Sequence, residues 1–348
     1  MLNLVTGAPG WLGTRFVHVL QDGGASALPD GRPLGERSLR CLVLPGSNTE
    51  SLCEAGKVDL IHGDLRNPDD LEPFFQNAEG ATLFHSAGLI HPRLYTREFY
   101  EVNVRGTQNL FKAAEAAGVR RVVVLSSNSP FGANPNRDHR FTESSPYHPY
   151  MNYGRSKMMM EQVVQTYQQR GRLETVILRP TWFYGPDQPA RQTTFFSMIK
   201  NGMAPILGDG GNLRSMVYVD NLCQAMLLAE ASPQANGNTY WVADKRPYSM
   251  VEITDTVEHL MEKEFGIPVS HKRLRLPAFA GDVAQFADGM LQAVGLYQQK
   301  IHVMSEMNKT IACSVEKAEQ ELGYRPTIEL EEGMRRSIAW CLNRGIRF

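Results

Sequence analysis

The chain has 348 residues, enough to bury a large core as one α/β domain with an added lobe or as two modest domains. Lys+Arg number 36 against Asp+Glu 37, so the basic footprint of a nucleic-acid binder is missing. Five cysteines, Cys41, Cys53, Cys223, Cys313 and Cys341, lie far apart without a Cys-x-x-Cys pair, which argues against a disulfide framework or a zinc site. The opening residues lack a basic, apolar leader, and no uninterrupted apolar span reaches bilayer length, so a soluble cytoplasmic protein without membrane insertion is expected.

Leu2 to Thr6 reads as a buried parallel strand that runs directly into Gly7-Ala8-Pro9-Gly10-Trp11-Leu12-Gly13 and then into a helical pattern reaching Leu20. Strand, glycine-rich turn and helix in this order suit a dinucleotide. Gly7 permits the turn, Gly10 lets backbone approach a pyrophosphate, Gly13 allows close packing, and the amides of the helix start face the anion. Asp22 to Ser38, rich in Gly, Pro, Ala and Ser, predicts a long surface loop.

Leu39 to Leu44 is the second expected strand. It ends in Leu44-Pro45-Gly46-Ser47, with neither the carboxylate that would bind an NAD ribose nor an arginine for the NADP phosphate, so either cofactor suits. Val58 to Ile61 makes a third strand followed by Gly63-Asp64-Leu65, where Asp64 could accept from an adenine amino group. Ala81 to Phe84 leads into His85-Ser86-Ala87-Gly88, small residues that leave room for a dinucleotide. His85 and His91 have no cysteine or carboxylate at ligand spacing, so packing or loop roles are expected and no metal.

A long helix is predicted over 98–118, with Gly118 as its C-cap and Asn103 within it. An amide in mid-helix competes with backbone hydrogen bonds, and such a local misfit marks a place to look for function. Arg121 to Leu125 is the fifth strand. The hydroxyls of Ser126, Ser127 and Ser129, with Asn128 between them, follow its carboxyl end, where a parallel sheet opens onto its ligand crevice.

Tyr150 to Gln169 reads as a helix that sets Tyr153 and Lys157 a turn apart on one face. A cation about 4 Å from the phenol, at an effective dielectric near 20, is worth about 4 kcal/mol, enough to draw a group that titrates near 10 towards neutrality. Farther on, Arg273 to Val294 carries Phe286, Met290, Leu291 and Val294 at helical spacing, an apolar helix for a pocket wall or for the core of the second lobe. Trp182, Phe183, Phe195 and Phe196 crowd the region expected to face substrate.

These elements together resemble the extended short-chain dehydrogenase/reductase family, from the glycine turn at Thr6 to Gly13 through Gly63-Asp64-Leu65, Val102-Asn103-Val104, Leu125-Ser126-Ser127, Tyr153-x-x-x-Lys157, Arg179-Pro180, Tyr184-Gly185-Pro186, Tyr218-Val219-Asp220-Asn221 and Leu322-Gly323-Tyr324. The resemblance implies an α/β fold: a Rossmann-type doubly wound parallel sheet over 1–180, with 215–245 returning to it, and a smaller C-terminal α/β substrate lobe from 181–214 and 246–348. It also implies hydride transfer with NAD or NADP, Tyr153 as acid/base, Lys157 on the nicotinamide ribose, Ser127 on the substrate oxygen, Asn103 supporting the site helix and Pro180 near the nicotinamide. Family dimers pack the helices at 98–118 and 150–169 together, and Met158, Met159 and Met160 would supply apolar surface for a homodimer.

Sugar 4,6-dehydratases need an Asp-Glu pair where Asn128 and Ser129 stand, which removes that reading. Sugar 4-epimerases remain an alternative through Arg214, a candidate for a diphosphate, although Trp182 replaces their usual Asn. The apolar C-terminal helix makes the chain resemble the 3β-hydroxysteroid dehydrogenase-like branch, with a small-molecule substrate that is hydrophobic or has a carbon skeleton. A dinucleotide sensor without turnover is the third reading.

Overall fold

The computed structural model describes residues 1–24, 27–28, 34–53 and 56–348. Part of the expected surface loop at Asp22 to Ser38 therefore lies outside the described residues.

Seven strands form the central sheet: β1 Leu2–Thr6, β2 Ser38–Val43, β3 Asp59–His62, β4 Thr82–His85, β5 Arg121–Leu125, β6 Glu174–Pro180 and β7 Asn238–Val242. They lie in the order β3-β2-β1-β4-β5-β6-β7, and every neighbouring pair is parallel. The strands are apolar on both sides because both sides are covered. In β5, Val123 and Leu125 point to one core, while Val122 and Val124 point to the other. Helix α1, Trp11–Gln21, packs on the first side; α2, Thr107–Ala116, and α3, Met151–Arg170, pack on the second. Helix α4, Val219–Ala231, joins the first layer. This is the doubly wound Rossmann-type sheet expected. Its order reverses between β1 and β4, so the crevice for a ligand opens there, at the carboxyl ends of the strands.

A third core gathers Tyr184, Phe196, Met216, Tyr218, Tyr248, Ile253, Leu330 and Met334, outside the central sheet. Two further helices matter for the site, α5 Phe279–Ala293 and α6 Gln299–Glu306.

Two predicted helices differ from expectation. The stretch over 98–118 is not one α-helix: a turn at Arg97–Phe99 passes into a wider π-helical segment, Tyr100–Gly106, before α2 begins. The stretch from Arg273 starts as a strand, Leu274–Leu276, paired with Pro205–Leu207, and becomes helical only after Pro277. Phe286, Met290 and Val294 then face outward, because Asp288 and Gln292 occupy the buried side of α5, and Leu291 is half-buried.

Candidate active site

The glycine turn is built as its spacing suggests. Gly7 has φ +92°, and a side chain there would stand 2.5 Å from Ser86 Oγ and 2.6 Å from the Ala87 amide. A methyl group on Gly13 would lie 2.5 Å from the Gly7 carbonyl oxygen, so turn and helix approach as closely as backbone allows. Gly10 begins α1 without a side-chain cap, leaving the first-turn amides of Trp11, Leu12 and Gly13 facing the crevice. Ser86 Oγ donates to the Thr6 carbonyl at 2.7 Å, which ties the end of β4 to that of β1.

Ser126, at the end of β5, is buried and its hydroxyl has no hydrogen-bond partner within the protein. Thr181, just past Pro180, is in the same state. Two orphaned hydroxyls and a glycine cradle that any side chain would fill suit a bound dinucleotide. Asp64 differs from expectation. Its carboxylate is engaged by Arg66 at 2.6 Å, and that contact holds it below the usual carboxylate range, so an adenine amino group would have to share it. Leu65 is buried, and its carbonyl accepts from Asn109 at 3.0 Å.

The catalytic candidates converge from three elements. Ser127 follows β5 and is buried; its Oγ accepts from the Ser129 amide at 3.2 Å. Tyr153, in the first turn of α3, lies close enough to Ser127 for the serine to pull its phenol down, and packs its ring on Phe99 at 5.7 Å. Lys157 is buried one turn on, and its ammonium donates to the Leu125 carbonyl at 2.8 Å. Gly88 closes the group: a side chain there would lie 3.6 Å from Lys157 Nζ and 3.4 Å from Asn103 Oδ1.

Asn103 explains the widened helix that carries it. Its Oδ1 accepts from the Leu89 amide at 2.7 Å, and its Nδ2 donates to the Leu89 carbonyl and to Ser156 Oγ, both at 3.0 Å. One buried amide thus joins the loop after β4 to the helix of Tyr153 and Lys157. Ser156 escaped the sequence reading, although its place between Tyr153 and Lys157 was the available signal.

The electrostatics correct one expectation. Tyr153 is not drawn towards neutrality: burial pushes its phenol up to about 12, with the Ser127 contact pulling the other way. Burial lowers Lys157 to about 8, opposed by Glu161. The reason is direction, since the ammonium turns to the end of β5 and not to the phenol. His85 has the packing role expected of it, held between Thr6 Oγ1 at 2.8 Å and Thr107 Oγ1 at 2.9 Å.

The residues expected on the substrate side divide. Asn128 is half-buried beside Ser127. Trp182 is half-buried with its ring on Phe195 at 5.6 Å. Phe183 packs on Trp11 of the glycine turn at 4.8 Å, and Phe196 is wholly inside the third core, so neither forms an aromatic substrate wall. Arg214 donates to the Glu306 carbonyl at the end of α6, which commits its guanidinium to a helix terminus instead of an open phosphate site. Tyr297, not foreseen, packs on the same Phe99 ring as Tyr153. His91 Nδ1 meets the Tyr297 hydroxyl at 2.6 Å, and Arg191, without an ion-pair partner among the described residues, lies in the neighbourhood of Tyr153 and Tyr297. Gln292 Oε1 accepts from both the amide and the Nδ2 of Asn152 at 3.0 Å, fastening α5 to the start of α3.

Comparison with known proteins agrees with this fold. The model of the NAD dependent epimerase/dehydratase family matches residues 3–243. The uncharacterized protein y4nL of Sinorhizobium fredii is 49% identical over 100% of this chain and 97% of its own length. The 3beta-hydroxysteroid-dehydrogenase/decarboxylase isoform 1 of Arabidopsis thaliana is 28% identical over 84% of this chain and 70% of its own. The crystal structure of DesIV, a dTDP-glucose 4,6-dehydratase from Streptomyces venezuelae with NAD and TYD bound, superposes with a TM-score of 0.73 at 25% identity, covering 99% of this chain and 98% of that one. With its doubly wound sheet, its glycine turn and a family model spanning more than half of its length, the chain belongs to the NAD dependent epimerase/dehydratase family.

Proposed function

We propose that this protein is an NAD(P)-dependent oxidoreductase that interconverts a secondary alcohol and a ketone on a small-molecule substrate, hydrophobic or with a carbon skeleton. The observation that carries the reading is the meeting of Tyr153 and Ser127 at the carboxyl end of β5, beside the glycine turn of β1. Gly7, Gly10, Gly13, Ser86, Ala87, Gly88, Ser126 and Pro180 would hold the dinucleotide. When bound, it supplies the acceptor or donor of hydride at its nicotinamide ring.

The protein's own residues manage the proton. With its hydroxyl group at about 12, Tyr153 is a neutral phenol at physiological pH, a donor ready for the oxygen of a ketone. Ser127, beside the phenol, would hold that oxygen. Lys157, charged below about pH 8, places its cation beneath Leu125 and next to Gly88, where it favours negative charge developing in the crevice. Likeness to the 3β-hydroxysteroid-type relative supports the branch. The family description and the bound state of DesIV support NAD, and the end of β2 is open to NADP as well.

A nucleotide-sugar 4-epimerase would use the same three residues. Against it, Arg214 is already engaged at the end of α6. The deciding experiment is Tyr153→Phe. Turnover of a ketone or alcohol panel, followed by NAD(P)H absorbance, should fall by about 10³-fold or more while cofactor binding is retained. Unchanged turnover would overturn the proposal.

A further inference from the structure

The outward side of α5 carries Phe279, Val283, Phe286, Met290 and Val294, exposed by 64, 61, 71, 60 and 73%. Their spacing puts them in one row along the helix. The row continues sideways. Leu94 and Tyr95 are joined to the end of α5 by the Tyr297 amide donating to the Leu94 carbonyl at 2.8 Å and the Thr96 amide to Gly295 at 2.9 Å, and Val303 adds to it from α6. Single exposed apolar residues are ordinary, but a contiguous field of this kind marks a contact surface.

The row is not a core face turned the wrong way. On the opposite side of α5, Asp288 is fully buried against His302 Nδ1 at 2.7 Å, and Gln292 grips Asn152. Rotating the helix to bury Phe286 would strip these polar groups of their partners, so the outward orientation is set by the fold.

Charge selects the occupant. Arg275 stands four residues before Phe279, Arg93 precedes Leu94, and Lys300 precedes Val303 by three on α6; among the described residues none has an ion-pair partner. Arg97, over the Tyr95 ring at 5.5 Å, is paired with Glu101 at 3.9 Å and is not counted with them. The exposed acid of α5, Asp282, is neutralised by Lys309 at 2.6 Å. A second copy seated on the same field would bring these cations against their own images. An anionic lipid surface would attract them and accept the apolar row without needing a shaped partner. At about 1.5 Å per residue α5 is about 22 Å long, too short for a hydrocarbon core of about 30 Å, so it suits lying in the interface and not crossing it.

We propose that α5, with Leu94, Tyr95 and Val303, docks this protein on anionic phospholipid bilayers. Because the inner side of the same helix is fastened to the start of α3, docking sets the Tyr153 crevice beside the membrane; that consequence rests on the function proposed above, whereas the docking itself does not.

The test is co-sedimentation of the full chain with phosphatidylcholine vesicles containing or lacking phosphatidylglycerol, at low and high salt. Binding is expected on the anionic vesicles and should weaken with salt. Phe286→Ser with Met290→Ser, and separately Arg93→Glu with Lys300→Glu, should each lower the partition coefficient by about 10-fold or more. Both pairs lie on the surface, and an unchanged unfolding temperature will show that the fold persists. Failure of the unaltered chain to sediment with anionic vesicles, or sedimentation that Phe286→Ser with Met290→Ser leaves intact, would overturn docking through α5. So would a dimer in light scattering that the same pair dissociates, since the face would then belong to a second copy. None of these results alters the Tyr153→Phe outcome.

Discussion

Tyr153 and Lys157 sit a turn apart, yet their charges are managed separately. The lysine is oriented by the Leu125 carbonyl, and the tyrosine ring by Phe99 with Ser127 beside its hydroxyl. Behind them Glu161 is fully buried, pairs with Arg179 at 2.7 Å and accepts from the Tyr147 hydroxyl at 2.6 Å. The Arg179 guanidinium also lies over the Phe131 ring at 4.3 Å. Removing one member of such a pair leaves a buried charge unmatched. Glu161→Ala should therefore lower unfolding free energy by about 3 to 5 kcal/mol in urea titration. A loss below about 1 kcal/mol, the range of exposed pairs, would contradict the burial seen here.

Among the elements, the π-helical segment at Tyr100–Gly106 is a site where local propensity yields to tertiary demand. Its Asn103 satisfies Leu89 and Ser156 through both ends of one amide, which neither an aspartate nor a leucine could do. Asn103→Ala leaves those partners unsatisfied and should cost about 1 to 3 kcal/mol of stability. As a positioning residue, it should also lower kcat by about 10-fold or more while leaving KM for the dinucleotide nearly unchanged, because the glycine turn belongs to other elements. Comparable losses in kcat and cofactor KM would assign it a direct place at the dinucleotide.

For the molecule as a whole, His85 reports on the join between sheet and helix layer. It lies at the carboxyl end of β4, bridged to β1 through Thr6 and to α2 through Thr107, and burial followed by the Lys157 charge lowers it to about 3. The folded state keeps it neutral, whereas the unfolded chain takes up its proton near 6.5. The unfolded state therefore binds more protons between about pH 6.5 and 3, and stability must fall as pH falls through that window, by up to about 1.4 kcal/mol per pH unit for this group. Urea midpoints between pH 7 and 5 should decline less in His85→Gln than in the unaltered chain. Parallel declines would mean that His85 is protonated in the fold.

The sequence by itself determined the strands and the glycine turn, because these rest on local periodicity and on the steric needs of a turn, while the fold class and the choice of Ser127, Tyr153 and Lys157 came from the family resemblance that its motifs carry. It could not determine where a side chain points once several elements share a core. Lys157 turned to the end of β5, Phe183 went to Trp11, Arg214 to the end of α6, and the apolar row of α5 outward, in each case because a partner distant in the chain competed for the contact. Those choices belong to the tertiary structure, where desolvation and the pairing of buried polar groups outweigh local spacing.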